Sequence, residues 1–142
     1  HKIAEEIYRK SPKTVVKVFN IAKADKNEIM TEVFKSRAIA VGSPTVSSSI
    51  LSSVAGWMEF LKQLKFKNKK AAAFGCYGWS GESVKKLQEQ LKEAGFDVIE
   101  ENIRSSWNPE EEDFARIPAL VTSLLGSPDG DVDKEGAAFD KV

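Results

Sequence analysis

Apolar and polar positions alternate along this chain in two rhythms. Short runs rich in Val, Ile, Ala and Phe occupy Thr14 to Asn20, Arg37 to Gly42, Lys70 to Gly75 and Asp97 to Ile103, the length and composition of β-strands. Within them Ala38-Ile39-Ala40-Val41 and Ala71-Ala72-Ala73-Phe74 are apolar at every position, as strands covered on both faces by helices must be. These two are expected at the centre of a sheet.

Between the runs the spacing becomes helical. Ile50, Leu51, Val54, Trp57, Met58, Leu61 and Leu64 form one apolar stripe, and Val84, Leu87, Leu91 and Ala94 form another that Gly95 closes, consistent with amphipathic helices and a left-handed helix end. Asp25 with Glu28 reads as a capping box opening a helix through Phe34, and Asn108-Pro109-Glu110-Glu111-Glu112 reads as a cap, a first-turn proline and acidic residues. Ile3, Ala4 and Ile7 place the start of the chain inside an amphipathic helix. The resulting order is helix and strand in strict alternation, which predicts an α/β domain with a parallel sheet and right-handed crossovers. Doubly wound domains commonly open with a strand, so a first strand is expected to be missing ahead of His1. Residues 126–142 turn to Gly, Asp, Ser and Lys without a buriable period. The domain is therefore expected over 1–125, followed by a mobile C-terminal tail over 126–142.

The 142 residues suffice for one domain with a packed core. Twenty-one basic residues balance twenty-one acidic ones, which disfavours nucleic acid as a partner. Cys76 is the one cysteine and His1 the one histidine, too few soft ligands for a metal site wholly inside the chain, and no disulfide framework can form. No apolar run nears the roughly 18 residues that span a bilayer, and the start lacks a signal-peptide pattern. A cytoplasmic protein without membrane contact is expected. No Ser-His-Asp set or phosphate-binding P-loop is present, and no catalytic side chain is assigned.

In an open α/β sheet, ligands bind beyond the carboxyl ends of the strands. The loop after Val41 runs Gly42-Ser43-Pro44-Thr45-Val46-Ser47-Ser48-Ser49, and the loop after Phe74 runs Gly75-Cys76-Tyr77-Gly78-Trp79-Ser80-Gly81-Glu82. Glycines allow close approach of backbone amides, and Tyr77 and Trp79 offer flat π surfaces to a planar heteroaromatic ligand. Equally, the glycines could serve only to turn the chain and the aromatics to cover a helix end; periodicity leaves both open.

The strings Val41-Gly-Ser-Pro-Thr, Phe66-Lys-Asn-Lys-Lys, Ala73-Phe-Gly-Cys-Tyr-Gly-Trp-Ser-Gly-Glu and Ala94-Gly-Phe closely resemble the flavodoxin-like domain of flavodiiron proteins, or A-type flavoproteins, from about His1 to Phe114. The resemblance implies a flavodoxin-like three-layer αβα sandwich of sheet order 2-1-3-4-5. It also implies bound FMN that relays electrons to a diiron centre reducing oxygen or nitric oxide. By position it makes Ser43, Pro44, Thr45, Val46, Ser47, Ser48 and Ser49 the second flavin loop, and Tyr77, Gly78, Trp79, Ser80 and Gly81 the third.

The chain departs from that pattern in three places. The family's first strand and hydroxyl-rich phosphate loop precede the helix that begins here near His1. In the order 2-1-3-4-5 their loss leaves Thr14 to Asn20 without a neighbour unless another chain supplies one or the sheet closes the gap. The diiron ligand cluster is also lacking, so the resemblance implies an upstream diiron domain or a separate redox partner protein. Pro118 falls where the family continues a last helix, which is expected to be split or shortened. The first functional reading is an FMN-binding electron-transfer domain. The alternative is a truncated, flavin-free module acting by protein association, including association with its own copies, through an open sheet.

Overall fold

The computed structural model describes residues 1–126 and, for 137–140, the backbone. In chain order the elements are α1 (Lys2–Lys10), β1 (Val16–Phe19), α2 (Lys26–Lys35), β2 (Ala38–Gly42), β3 (Thr45–Val46), β4 (Ser49–Ile50), α3 (Ser52–Leu64), β5 (Lys70–Tyr77), α4 (Glu82–Glu93), β6 (Asp97–Val98), β7 (Ile103–Ser106), α5 (Glu111–Phe114), α6 (Ile117–Leu125) and β8 (Ala137–Asp140). The main sheet runs β1-β8-β2-β5, with β6 and β7 both lying beside β5, and all its pairings are parallel. The two continuously apolar runs are neighbours in the interior, Ala38 opposite Lys70 through to Gly42 opposite Phe74.

Alternation along these strands divides the interior into two cores, because successive side chains leave a strand on opposite faces. Ile39, Val41, Ala71 and Ala73 join the core made with Ile29, Met30 and Val33 of α2, Val54, Trp57, Met58 and Leu61 of α3, and Val84, Leu87 and Leu91 of α4. Ala38, Ala40 and Ala72 face the other core, with Ile3 and Ile7 of α1 and Ile117, Leu120, Val121 and Leu124 of α6. The sheet is therefore sandwiched between helices, as the sequence pattern anticipates.

Several boundaries differ from the sequence reading. The expected strand from Asp97 to Ile103 is split: β6 pairs with Lys70 and Ala71, β7 pairs with Phe74 to Tyr77, and the pairing continues to Ser106. The interruption coincides with Glu100-Glu101-Asn102, polar residues that a strand buried on both faces would desolvate. The last helix does not start at the Asn108-Pro109 pair. Glu110 precedes α5, its backbone N–H donating to Asp113 Oδ2 at 3.0 Å. The helix is split at Ala115 and Arg116, between α5 and α6, and Pro118 lies just past the break in the first turn of α6, where an amide would lack a helical partner in any case. Asp25 caps α2 in one direction, Oδ1 accepting from Asn27 N–H at 2.7 Å and Glu28 N–H at 3.2 Å.

The largest difference concerns the interior of the sheet. Val16–Phe19 is not left without a neighbour, since β8 pairs with it on one side and with Ala38–Val41 on the other. In the order 2-1-3-4-5, β8 occupies the position of the first strand. Of the tail expected over 126–142, residues 127–136 and 141–142 lie outside the described residues, while Ala137–Asp140 is this strand. Four residues are too few for a period to show in sequence.

Candidate functional site

Because β2 and β5 are parallel neighbours in register, the chain leaves both at the same rim of the sheet. The segment after β2 is a hairpin rather than an irregular loop. Thr45 pairs with Ile50 and Val46 with Ser49, and the two turn residues, Ser47 and Ser48, have φ of 48° and 59°. Positive φ at both central positions is the geometry whose twist suits a two-residue hairpin. Lys86 of α4 braces the turn, its Nζ donating to the Ser48 carbonyl at 2.6 Å.

The hairpin is fastened to the neighbouring loop through Ser83, which is 1% exposed at the start of α4. Ser83 Oγ donates to the Ser43 carbonyl at 3.1 Å and accepts from Thr45 Oγ1 at 2.9 Å, while Ser83 N–H donates to Thr45 Oγ1 at 3.3 Å. Ser43, itself buried, donates its hydroxyl to the Pro44 carbonyl and accepts from Leu51 N–H at 2.9 Å. The main chains touch as well: a Cβ at Gly75 would lie 2.3 Å from the Ser43 carbonyl oxygen, so only glycine permits the approach.

The second loop begins later than the sequence suggests, because β5 continues through Gly75 and Cys76, paired with β7, to a half-buried Tyr77; in the loop itself Trp79 is 97% exposed. Arg104 of β7 lies over the Tyr77 ring, its guanidinium carbon 5.6 Å from the ring centre, within cation–π range. Glu82 opens α4 with its carboxyl held below the usual range, first by the Ser80 hydroxyl and then by its own backbone N–H. Its Oε2 is buried without a partner among the described residues, and so is Ser53 Oγ in the first turn of α3. Two orphaned polar atoms thus stand at the head of the two helices that the rim loops feed. The other two such atoms, Trp57 Nε1 and Gln90 Oε1, lie further along the same helices.

The structure brings every expected site residue to one rim but assigns them different work. Ser43 and Thr45 spend their hydroxyls within the protein: that of Ser43 braces its own segment between Pro44 and Leu51, and that of Thr45, with the Ser43 carbonyl, fastens the hairpin to Ser83. Pro44 and Ser49 are half-buried links; Val46, Ser47 and Ser48 are exposed at the hairpin tip; Tyr77, Gly78, Ser80 and Gly81 form the partly covered body of the second loop beneath Trp79. Sequence reasoning missed Arg104 and Trp107. Trp107 lies with its indole on Gly78, and its backbone N–H donates to the Tyr77 carbonyl at 2.8 Å. The string Ser105-Ser106-Trp107, a strand end turning at an aromatic, is the available signal; the helix start expected at Asn108-Pro109 lies just beyond it and leaves it without a role.

Among the described residues no helix is long and apolar enough to cross a membrane. The sequence profile of the Flavodoxin family matches residues 1–117. The chain is 44% identical over 108 residues to the anaerobic nitric oxide reductase flavorubredoxin of Aeromonas hydrophila, covering 76% of this chain and 22% of that protein. It is 40% identical over 110 residues to the protein of the same name from Escherichia coli K12, covering 78% and 23%. The chain thus spans about a fifth of the length of the curated relatives it matches. Among solved structures, rubredoxin oxygen:oxidoreductase of Desulfovibrio gigas superposes with a TM-score of 0.80 at 33% identity, over 87% of this chain and 30% of that one. An archaeal flavodoxin superposes with a TM-score of 0.68 at 27% identity, over 87% of this chain and 85% of that one.

Proposed function

Since this chain belongs to the flavodoxin family, we propose that it is an FMN-binding electron-transfer domain of the flavodiiron type, passing electrons toward a diiron oxygen or nitric oxide reductase site located elsewhere. The observation that carries this reading is the pair of rim loops, a hydroxyl-rich hairpin and a glycine–aromatic loop, fastened side by side through Ser83. The names of the relatives support the direction of electron flow, one a nitric oxide reductase flavorubredoxin and the other a rubredoxin oxygen:oxidoreductase. The electron acceptor is then a diiron domain or redox partner protein, and the compartment the cytoplasm.

The residues present fit the flat part of FMN. Tyr77 and Trp79 supply stacking surface, Val46 an apolar contact at the hairpin tip, and Ser47 to Ser49 with Gly78 and Ser80 supply backbone and hydroxyl groups for the ring edge. Bound flavin supplies the electron-transfer chemistry. The protein's part is to hold the ring at the rim and set its surroundings, which needs no side-chain acid or base. The buried Glu82 Oε2 is an acceptor for a donor at this rim.

Adding FMN to the flavin-free protein should quench the flavin's fluorescence through the neighbouring aromatics. Trp79→Ala should weaken binding by about 0.5–1.5 kcal/mol, roughly twofold to twelvefold. Full FMN fluorescence at saturating wild-type protein would reject the flavin reading, and unaltered affinity in Trp79→Ala would reject the stacking role.

A further inference from the structure

We propose that Trp107 is a positioning residue of the flavin loop: its indole, laid on the backbone of Gly78, holds residues 77–81 in the shape that receives the ring. The inference rests on the flavin reading above and adds a residue from outside both rim loops.

Gly78 first raises the question. It does not have positive φ, so its backbone would accept an ordinary side chain. What crowds one is the indole, because a Cβ there would lie 3.1 Å, 3.2 Å and 3.5 Å from Cη2, Cζ2 and Cζ3 of Trp107, so the ring would have to give way by a few tenths of an ångström. The indole thus rests directly against the backbone of Gly78, at a distance that only a glycine leaves undisturbed. Trp107, in turn, is not explained by the core. It is 69% exposed, belongs to neither core cluster, and has φ of 55°, a left-handed conformation that disfavours a bulky side chain. Its contacts are directed at the loop: the indole on Gly78 and the backbone N–H on the Tyr77 carbonyl at 2.8 Å.

Arg104, three residues earlier, flanks the same loop from the other end. A Cβ at Gly81 would lie 2.6 Å from its Cδ, and its guanidinium covers Tyr77. Residues of β7 and the turn after it therefore back the flavin loop at Tyr77, Gly78 and Gly81. A binding loop held in its bound shape forfeits less freedom on capture and binds more tightly.

The test uses Trp107→Ala, Trp107→Phe, Gly78→Ala and the Gly78→Ala/Trp107→Ala double variant. Trp107→Ala keeps the backbone hydrogen bond and removes only the indole. Its FMN dissociation constant, measured by equilibrium dialysis, should rise roughly threefold to tenfold, with the melting temperature of the flavin-free protein nearly unchanged and most of the affinity restored by Trp107→Phe. Gly78→Ala should weaken binding in the wild-type background and much less in the Trp107→Ala background. In flavin-free protein, hydrogen exchange at the amides of residues 78–81 should quicken in Trp107→Ala while that at Ala71 to Ala73 stays slow. Unchanged loop exchange, or an equal effect of Gly78→Ala with and without Trp107, overturns the proposal. If wild-type protein binds no FMN but loop exchange still quickens, the flavin reading fails and the positioning contact stands.

Discussion

Ser83 shows how much of the rim depends on one small side chain. Its hydroxyl satisfies the Ser43 carbonyl and takes the Thr45 proton, and its surroundings exclude the water that could replace it. Removing one partner of a buried hydrogen bond leaves the other unsatisfied. Ser83→Ala should therefore cost about 1–3 kcal/mol of stability by denaturant unfolding, whereas Ser47→Ala at the exposed turn should fall within about 0.5 kcal/mol of wild type. Equal effects at the two positions would mean that Ser83 does not join the loops. The hydroxyls of Ser43 to Ser49 are visible in sequence as a group. Which of them face inward is not, because that depends on α4 arriving from forty residues away.

Among the elements, β8 has the most consequence. It is the only described strand partner of β1 and separates it from β2. An interior strand has ladder hydrogen bonds on both sides, and a proline removes its amide from one of them. Ala138→Pro should lower the melting temperature and deprotect the amides of Val16 to Phe19 before those of Ala71 to Ala73, as read by hydrogen exchange. If β1 amides keep their protection, β8 is not what holds that strand. Where the two central strands begin, α6 ends against two cations, Arg37 just ahead of β2 and Lys70 at the start of β5. Arg37 Nη2 donates to the Leu125 carbonyl at 3.2 Å and Lys70 Nζ to the Ser123 carbonyl at 3.1 Å, satisfying carbonyls that a helix C-terminus leaves open. Helix starts at Asp25 and the stop at Gly95 were readable because caps are local chemistry. The hairpin of β3 and β4 was hidden behind a serine-rich turn lacking the usual Asn-Gly signal.

For the whole molecule, two cores on the two faces of one sheet share the burden of stability. Leu87 and Leu120 are each 0% exposed, one in each core, and truncating either to alanine should cost about 2–5 kcal/mol in thermal or denaturant unfolding. A loss confined to one of them would show that the second layer is not packed. The charged surface adds a pH dependence of definite sign. Glu32 is lowered first by its hydrogen bond to Lys17, at 2.7 Å across α2 and β1, Glu6 by Arg9, and Glu101 by the Ser123 hydroxyl. A depressed carboxyl pKa means that the unfolded chain binds protons more readily. The stabilisation is thus full above the ordinary range of about 4.3 and is lost as pH falls through the lower folded values. The melting temperature should hold from neutrality to about pH 5 and then decline, with a smaller decline in Lys17→Met. A curve rising toward acid would contradict the assigned sign.

The sequence by itself determined what short-range chemistry controls: continuously apolar strands must be central, caps and a glycine mark helix ends, and the two loops after those strands must emerge together. Tertiary structure decided which groups in those loops remain available, by drawing Ser43 and Thr45 onto Ser83 and by setting Trp107 on Gly78. It also decided that four residues near the end of the chain fill the interior of the sheet. Each of those outcomes depends on groups distant along the chain coming within a few ångströms, a relation that no local pattern of apolar and polar residues encodes.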